Sequence, residues 1–235
     1  MSMKKAIFIL GVTAALSACN SGNDNTTAST TTDTASQSAQ GGMASDTTAM
    51  TTGTDTTAMA AGQSMMSIMQ HNMDQMKSMQ STGDPDKDFA SMMKAHHTGA
   101  IEMARAEVAQ GTDTQLKQMA QKMIEEQQKE ITDFDAFLSS NTKQANDTAQ
   151  GRSDAFHQQV MGQMNNMKMD MDHSGSMDKQ FAQMMISHHQ GGIDMAKAYL
   201  KTGAREQKLK TLANNIITDQ QKEINDLQAW IAKNK

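Results

Sequence analysis

Asp88-Phe89-Ala90-Ser91-Met92-Met93-Lys94-Ala95-His96-His97-Thr98-Gly99-Ala100-Ile101-Glu102-Met103-Ala104 returns later in the same chain as Gln180-Phe181-Ala182-Gln183-Met184-Met185-Ile186-Ser187-His188-His189-Gln190-Gly191-Gly192-Ile193-Asp194-Met195-Ala196. Apolar residues in both stretches recur at three and four positions, which is helical spacing and not the alternation of a strand. A second correspondence follows: Gln127-Gln128-Lys129-Glu130-Ile131 against Gln220-Gln221-Lys222-Glu223-Ile224. The chain is therefore a tandem duplication. Each copy is too long to be a solenoid repeat, so these are two modules and not an array.

Within each copy the spacing predicts three helices, over 64–80, 86–110 and 113–138, then 154–171, 178–202 and 204–233. Gly83-Asp84-Pro85 and Gly175-Ser176 separate the first helix from the second. Gly111 and Gly203 separate the second from the third, with Asp113 as a candidate N-cap. Four long helices are expected to form a bundle, with the shorter Met-rich ones packed alongside.

These motifs resemble the DUF305 family of bacterial envelope proteins. The features that carry the resemblance are the Phe-x-x-Met-Met-x-x-His-His-x-x-x-Ile-x-Met-Ala helix and the later Gln-x-x-Glu-Ile helix, which ends on Phe137 in one copy and Trp230 in the other. The resemblance implies an all-α, ferritin-like helical bundle built from two tandem DUF305 repeats, over 64–139 and 153–235, joined by a linker at 140–152. It also implies copper or silver binding, which some members of the family perform.

The ends of the chain point to the envelope. Lys4 and Lys5 precede a short apolar run, Ala6 to Leu16, so residues 1–18 read as a signal peptide, too short to span a membrane stably. Leu16-Ser17-Ala18-Cys19 resembles a bacterial lipobox with Cys19 as the lipidation site, and Asn20 after it favours the outer membrane. The membrane would then be engaged through the lipid anchor alone, with the protein facing the periplasm. Residues 20–63 hold no Lys, Arg, aromatic, Ile, Leu or Val. Such a composition cannot bury enough apolar surface to offset its ordering entropy, so 19–63 is expected to be a disordered tether.

The net charge is −5, and cleavage after Ala18 would remove Lys4 and Lys5 and make it more negative. That disfavours nucleic acid as a partner. Catalytic patterns are missing from the sequence. No Glu-x-x-His of a di-iron bundle occurs, the single Cys is Cys19, and no phosphate loop or nucleophile elbow is present. The expectation is a binding protein and not an enzyme.

Met occurs 25 times. At about 100° per helical residue, Met92, His96 and Met103 fall within a sector of roughly 40°, with Met93 beside them. Met184, Met185, His188 and Met195 repeat the stripe. His97 and His189 diverge from it and would turn to a neighbouring helix. Thioethers together with imidazoles suit Cu(I), with Ag(I) as its surrogate. The alternative is a metal-independent helical stress or interaction module, its core filled by Met and its histidines bonded to Gln127 and Glu130 of the third helix. Met65, Met69, Met73 and Met76 form another stripe, of the kind that more often makes core than ligands. Met167-Lys168-Met169-Asp170-Met171-Asp172-His173 places alternate Met residues on no common helical face and reads as a further set of ligands. The expected function is copper sequestration, resistance or hand-off, with metal ions and other copper-handling envelope proteins as partners.

Overall fold

The computed structural model describes residues 64–141, 147–166, 175–202 and 204–234. The signal, lipobox and tether readings, Cys19 included, lie outside these residues, as does the Met167, Met169, Met171 and His173 run. Among the described residues there are six helices: α1 Met65–Ser78, α2 Pro85–Gln110, α3 Thr114–Ser140, α4 Asp147–Asn166, α5 Met177–Lys201 and α6 Gln207–Lys233. The chain folds as an all-α bundle, as expected.

Local signals start the helices where the sequence places them. The Ser64 and Ser176 side chains accept from the backbone N–H groups of Ser67 and Lys179. Asp113 Oδ1 accepts from Leu116 N at 2.8 Å, satisfying one of the donors a helix start leaves free. Asp84 caps α2, and Pro85, with no N–H to satisfy, fills the first turn.

One boundary differs from the expectation. Helix α4 begins at Asp147, inside the stretch read as linker. The polar, Gly-containing sequence there gave no helical signal, but packing holds it: Ala149 and Ser153 are buried, and the Ser153 hydroxyl donates to Asp88 of α2. Tertiary contact overrides weak local propensity at this point.

Helices α2 and α5, the two that carry His-His, pack against each other at the centre. Helix α3 lies on α2 and α6 on α5, so each repeat contributes one helical hairpin. Helices α1 and α4 each touch both α2 and α5, tying the repeats together. Phe89 stacks on Tyr199 across the central pair, with ring centroids 4.0 Å apart and planes 5° from parallel. Phe134 and Phe156 meet Phe89 edge-on. Around them the core is largely methionine, including Met65, Met69, Met92, Met93, Met103, Met184 and Met185.

The repeats also hold each other through two matched carboxylates. Asp86, at the start of α2, accepts from the backbone N–H of Arg205 (3.1 Å) and Glu206 (3.4 Å), just ahead of α6. Asp178, at the start of α5, accepts from the N–H of Thr112 and Asp113, both at 2.8 Å, just ahead of α3. Each repeat thus satisfies the donors that precede the other's last helix, and α2 and α5 must run in opposite directions to do so.

Candidate metal site

The expected site residues fall into three groups. His96 and His188, one from each repeat, stack face to face where α2 crosses α5, with ring centroids 3.7 Å apart and a 32° tilt. Both are buried. His96 Nε2 donates to the backbone oxygen of His188 at 3.0 Å, and His188 Nε2 lies 3.4 Å from Asn72 Oδ1 of α1. The Nδ1 atoms of both rings are buried without a hydrogen-bond partner. Burial, followed by the neighbouring histidines, holds both imidazoles well below the ordinary histidine value, so they are neutral near pH 7.

His97 and His189 turn outward from that stack to the last helix of their own repeat. His97 Nε2 donates to Glu130 Oε2 at 2.6 Å. His189 Nε2 lies 2.8 Å from Glu223 Oε2, without hydrogen-bond alignment. The divergence read from helical spacing is therefore real; of the two partners expected under the metal-independent reading, Glu130 meets His97, while the Gln127 amide has no hydrogen-bond partner.

Met92, Met93, Met103, Met184 and Met185 form the third group. All are core residues, and none borders the cavity that His96 and His188 reach. Met195 does border it. This cavity, of about 820 Å³, is lined by Met69, Asn72, Met73 and Met76 of α1, His96 of α2, Val160 and Met164 of α4, and Ile186, His188 and Met195 of α5. Gln159, Gln163, Gln190, Asp194 and Gln228 add polar atoms. Met69, Met73 and Met76 form a stripe in the sequence, but a stripe does not say whether it faces packed core or a void. Asn72 gave no signal at all.

Two glycines shape this region. A Cβ at Gly99 would run into the Asn72 amide, so α1 approaches α2 closely only because position 99 has no side chain. A Cβ at Gly192 would collide with the Gln220 amide and sit 2.9 Å from His96 Cε1. Among the described residues, no group of three or more His, Cys, Asp or Glu side chains is placed to hold a metal ion.

The family model described as a domain of unknown function, DUF305, matches residues 20–138 and 86–231. The chain belongs to the DUF305 family. Two overlapping matches accord with the duplication read from the motifs. No curated protein matches the chain. Among solved structures, a DUF305 protein from Streptomyces coelicolor is similar at 19% identity and TM-score 0.51, over 65% of this chain and 94% of the other. A DUF305 fragment from Deinococcus radiodurans shows 17% identity and TM-score 0.47, over 63% and 96%. CopM in a silver-bound form shows 25% identity and TM-score 0.47, over 63% and 95%. The Streptomyces structure supports the DUF305 helical fold and nothing narrower. Among the described residues no helix is long and apolar enough to cross a membrane.

Proposed function

We propose that the protein binds Cu(I), or Ag(I) in its place, in the cavity between α1, α4 and α5, as a carrier for sequestration or hand-off and not as an enzyme. The observation that carries this reading is the donor set of one cavity. Met69, Met73, Met76, Met164 and Met195 line it together with the neutral imidazoles of His96 and His188. Thioethers are soft, uncharged donors that favour Cu(I) and Ag(I) over Zn(II) or Fe(II), and they carry no proton that competes with the metal. Methionine also suits an oxidising compartment, because it forms no disulfides. The Lys4–Cys19 leader motif supports an envelope location, with Cys19 as the outer-membrane lipid anchor and other copper-handling envelope proteins as exchange partners.

A second reading has its own support. The contacts of His97 with Glu130 and of His189 with Glu223 give these two histidines a structural role. A metal-independent interaction module would need the remaining histidines to be structural as well.

Anaerobic titration of the full-length protein against a competing chelator separates the two. Cu(I) and Ag(I) should bind far more tightly than Zn(II). Equal competition by Zn(II) under reducing conditions, or no binding of Cu(I), would remove the soft-site reading. Anchoring is tested independently: Cys19→Ser should move the protein from the membrane fraction to the soluble one.

A further inference from the structure

The two stacked histidines are not free to choose which nitrogen they offer a ligand. His96 Nε2 lies 3.0 Å from a backbone carbonyl, that of His188. A carbonyl oxygen only accepts, so Nε2 carries the hydrogen. A neutral imidazole has one N–H, so the Nδ1 of His96 is a bare lone pair.

The same logic reaches His188 through one more residue. Asn72 Nδ2 donates to the backbone oxygen of Ala95 at 2.8 Å, which fixes the orientation of its amide. The other amide atom, Oδ1, is the one 3.4 Å from His188 Nε2, and it too only accepts. His188 therefore carries its hydrogen on Nε2, and its Nδ1 is the second bare lone pair. Asn72 reaches this position because Gly99, one turn after Ala95, has no Cβ to block it. Both Nδ1 atoms are buried and unpartnered, as are those of His97 and His189, but only His96 and His188 border the methionine cavity.

We infer that His96 and His188 engage a soft metal ion through Nδ1, and that Asn72 is the positioning residue that fixes His188 in the tautomer this requires. The inference rests on the cavity reading above and adds to it the ligating atoms and the residue that selects them. Asn72 itself does not touch the metal. Its amide instead links helix α1, which supplies three of the thioethers, to the imidazole supplied by α5.

Full-length protein labelled with ¹⁵N-histidine, studied at pH 7.5 by long-range ¹H–¹⁵N correlation, tests this with Ag(I) as the probe. His96→Gln and His188→Gln assign the two rings. Before silver, both should show a protonated Nε2 and an unprotonated Nδ1. One equivalent of Ag(I) should shift the Nδ1 resonances and leave both Nε2–H groups in place. Asn72→Leu should let His188 populate the Nδ1–H tautomer, leave His96 unchanged, and weaken Ag(I) binding by about 10–100-fold, the usual effect of losing a residue that orients a ligand. If Asn72→Leu fails to fold, the wild-type tautomers and shifts still decide. Silver binding that moves Nε2, or Nδ1–H tautomers in the metal-free protein, overturns the inference and leaves the cavity reading standing. Silver that binds without moving any imidazole nitrogen overturns it as well. Absence of silver binding defeats the cavity reading, and the inference with it.

Discussion

Asp86 and Asp178 occupy the same place in the two repeats and hold the same kind of backbone donors, yet their remaining partners differ. At Asp86 the extra donor is the Tyr199 hydroxyl, 2.5 Å away. At Asp178 the extra donor is the Thr112 hydroxyl, 2.7 Å away, and the residue that corresponds to Tyr199 is Glu107, buried beside it. A phenol donates at any accessible pH. Burial and the Asp86 contact push the Tyr199 hydroxyl further above its ordinary value. A buried carboxyl beside a carboxylate is favoured only while it keeps its proton. Burial first, then the neighbouring Asp178 carboxylate, pushes Glu107 up to about 8. Duplication thus preserved the geometry of the contact while making one copy indifferent to pH and the other sensitive to it.

Removing either carboxylate should break the equivalence most severely. Asp86→Ala and Asp178→Ala should each destabilise the fold by about 3 kcal/mol, since hydrogen bonds to a charged group contribute roughly 1.5–3 kcal/mol. Urea denaturation at pH 7 measures this. A loss confined to one of the two sites would show that the repeats are not clasped symmetrically.

Gly192→Ala copies into the second repeat the alanine that the first carries at Ala100. Despite that precedent it should cost about 1–3 kcal/mol, the usual penalty for overpacking, because Gln220 and His96 already fill the space. Thermal melts comparing Gly192→Ala with wild type would show a neutral result if the two central helices were interchangeable there.

The smallest effects sharpen the contrast. Tyr199→Phe should cost about 1 kcal/mol, equally at pH 5 and pH 8. Glu107 behaves differently, because its folded value lies above its unfolded one. Its stabilisation is complete below about 4.3, the unperturbed glutamate value, and is lost as pH rises towards about 8. Glu107→Gln stays neutral at every pH, so its denaturation midpoint should fall less than that of wild type between pH 5 and 8. Parallel pH profiles for Glu107→Gln and wild type would contradict the assignment.

The bundle was readable because its signals are local and repeated. The motif helix occurs twice, Asp113 and Ser176 sit where caps belong, and Pro85 opens a helix it could not continue. The divergence of His97 from His96 followed from helical geometry. What sequence could not supply was the pairing between repeats. His96 meets His188, and Asp86 meets residues more than a hundred positions away, through packing with no local signature. The same limit hid the cavity. Met92 and Met69 look alike as stripe residues and are both buried in the core, and only the crossing of α1 over α2 and α5 brings Met69, and not Met92, to the edge of the cavity.

The central claim is that the cavity's thioethers bind the metal and do not merely fill space. Met69, Met73, Met164 and Met195 can be replaced together by Leu, a volume-conserving exchange that usually costs less than about 1.5 kcal/mol per site. Anaerobic Cu(I) titration of this full-length variant beside wild type, with thermal melts of both, is the direct measurement. The expected result is a folded protein that has lost its tight Cu(I) site. A folded variant with undiminished Cu(I) affinity would contradict it, and the methionines of the cavity would then be packing alone.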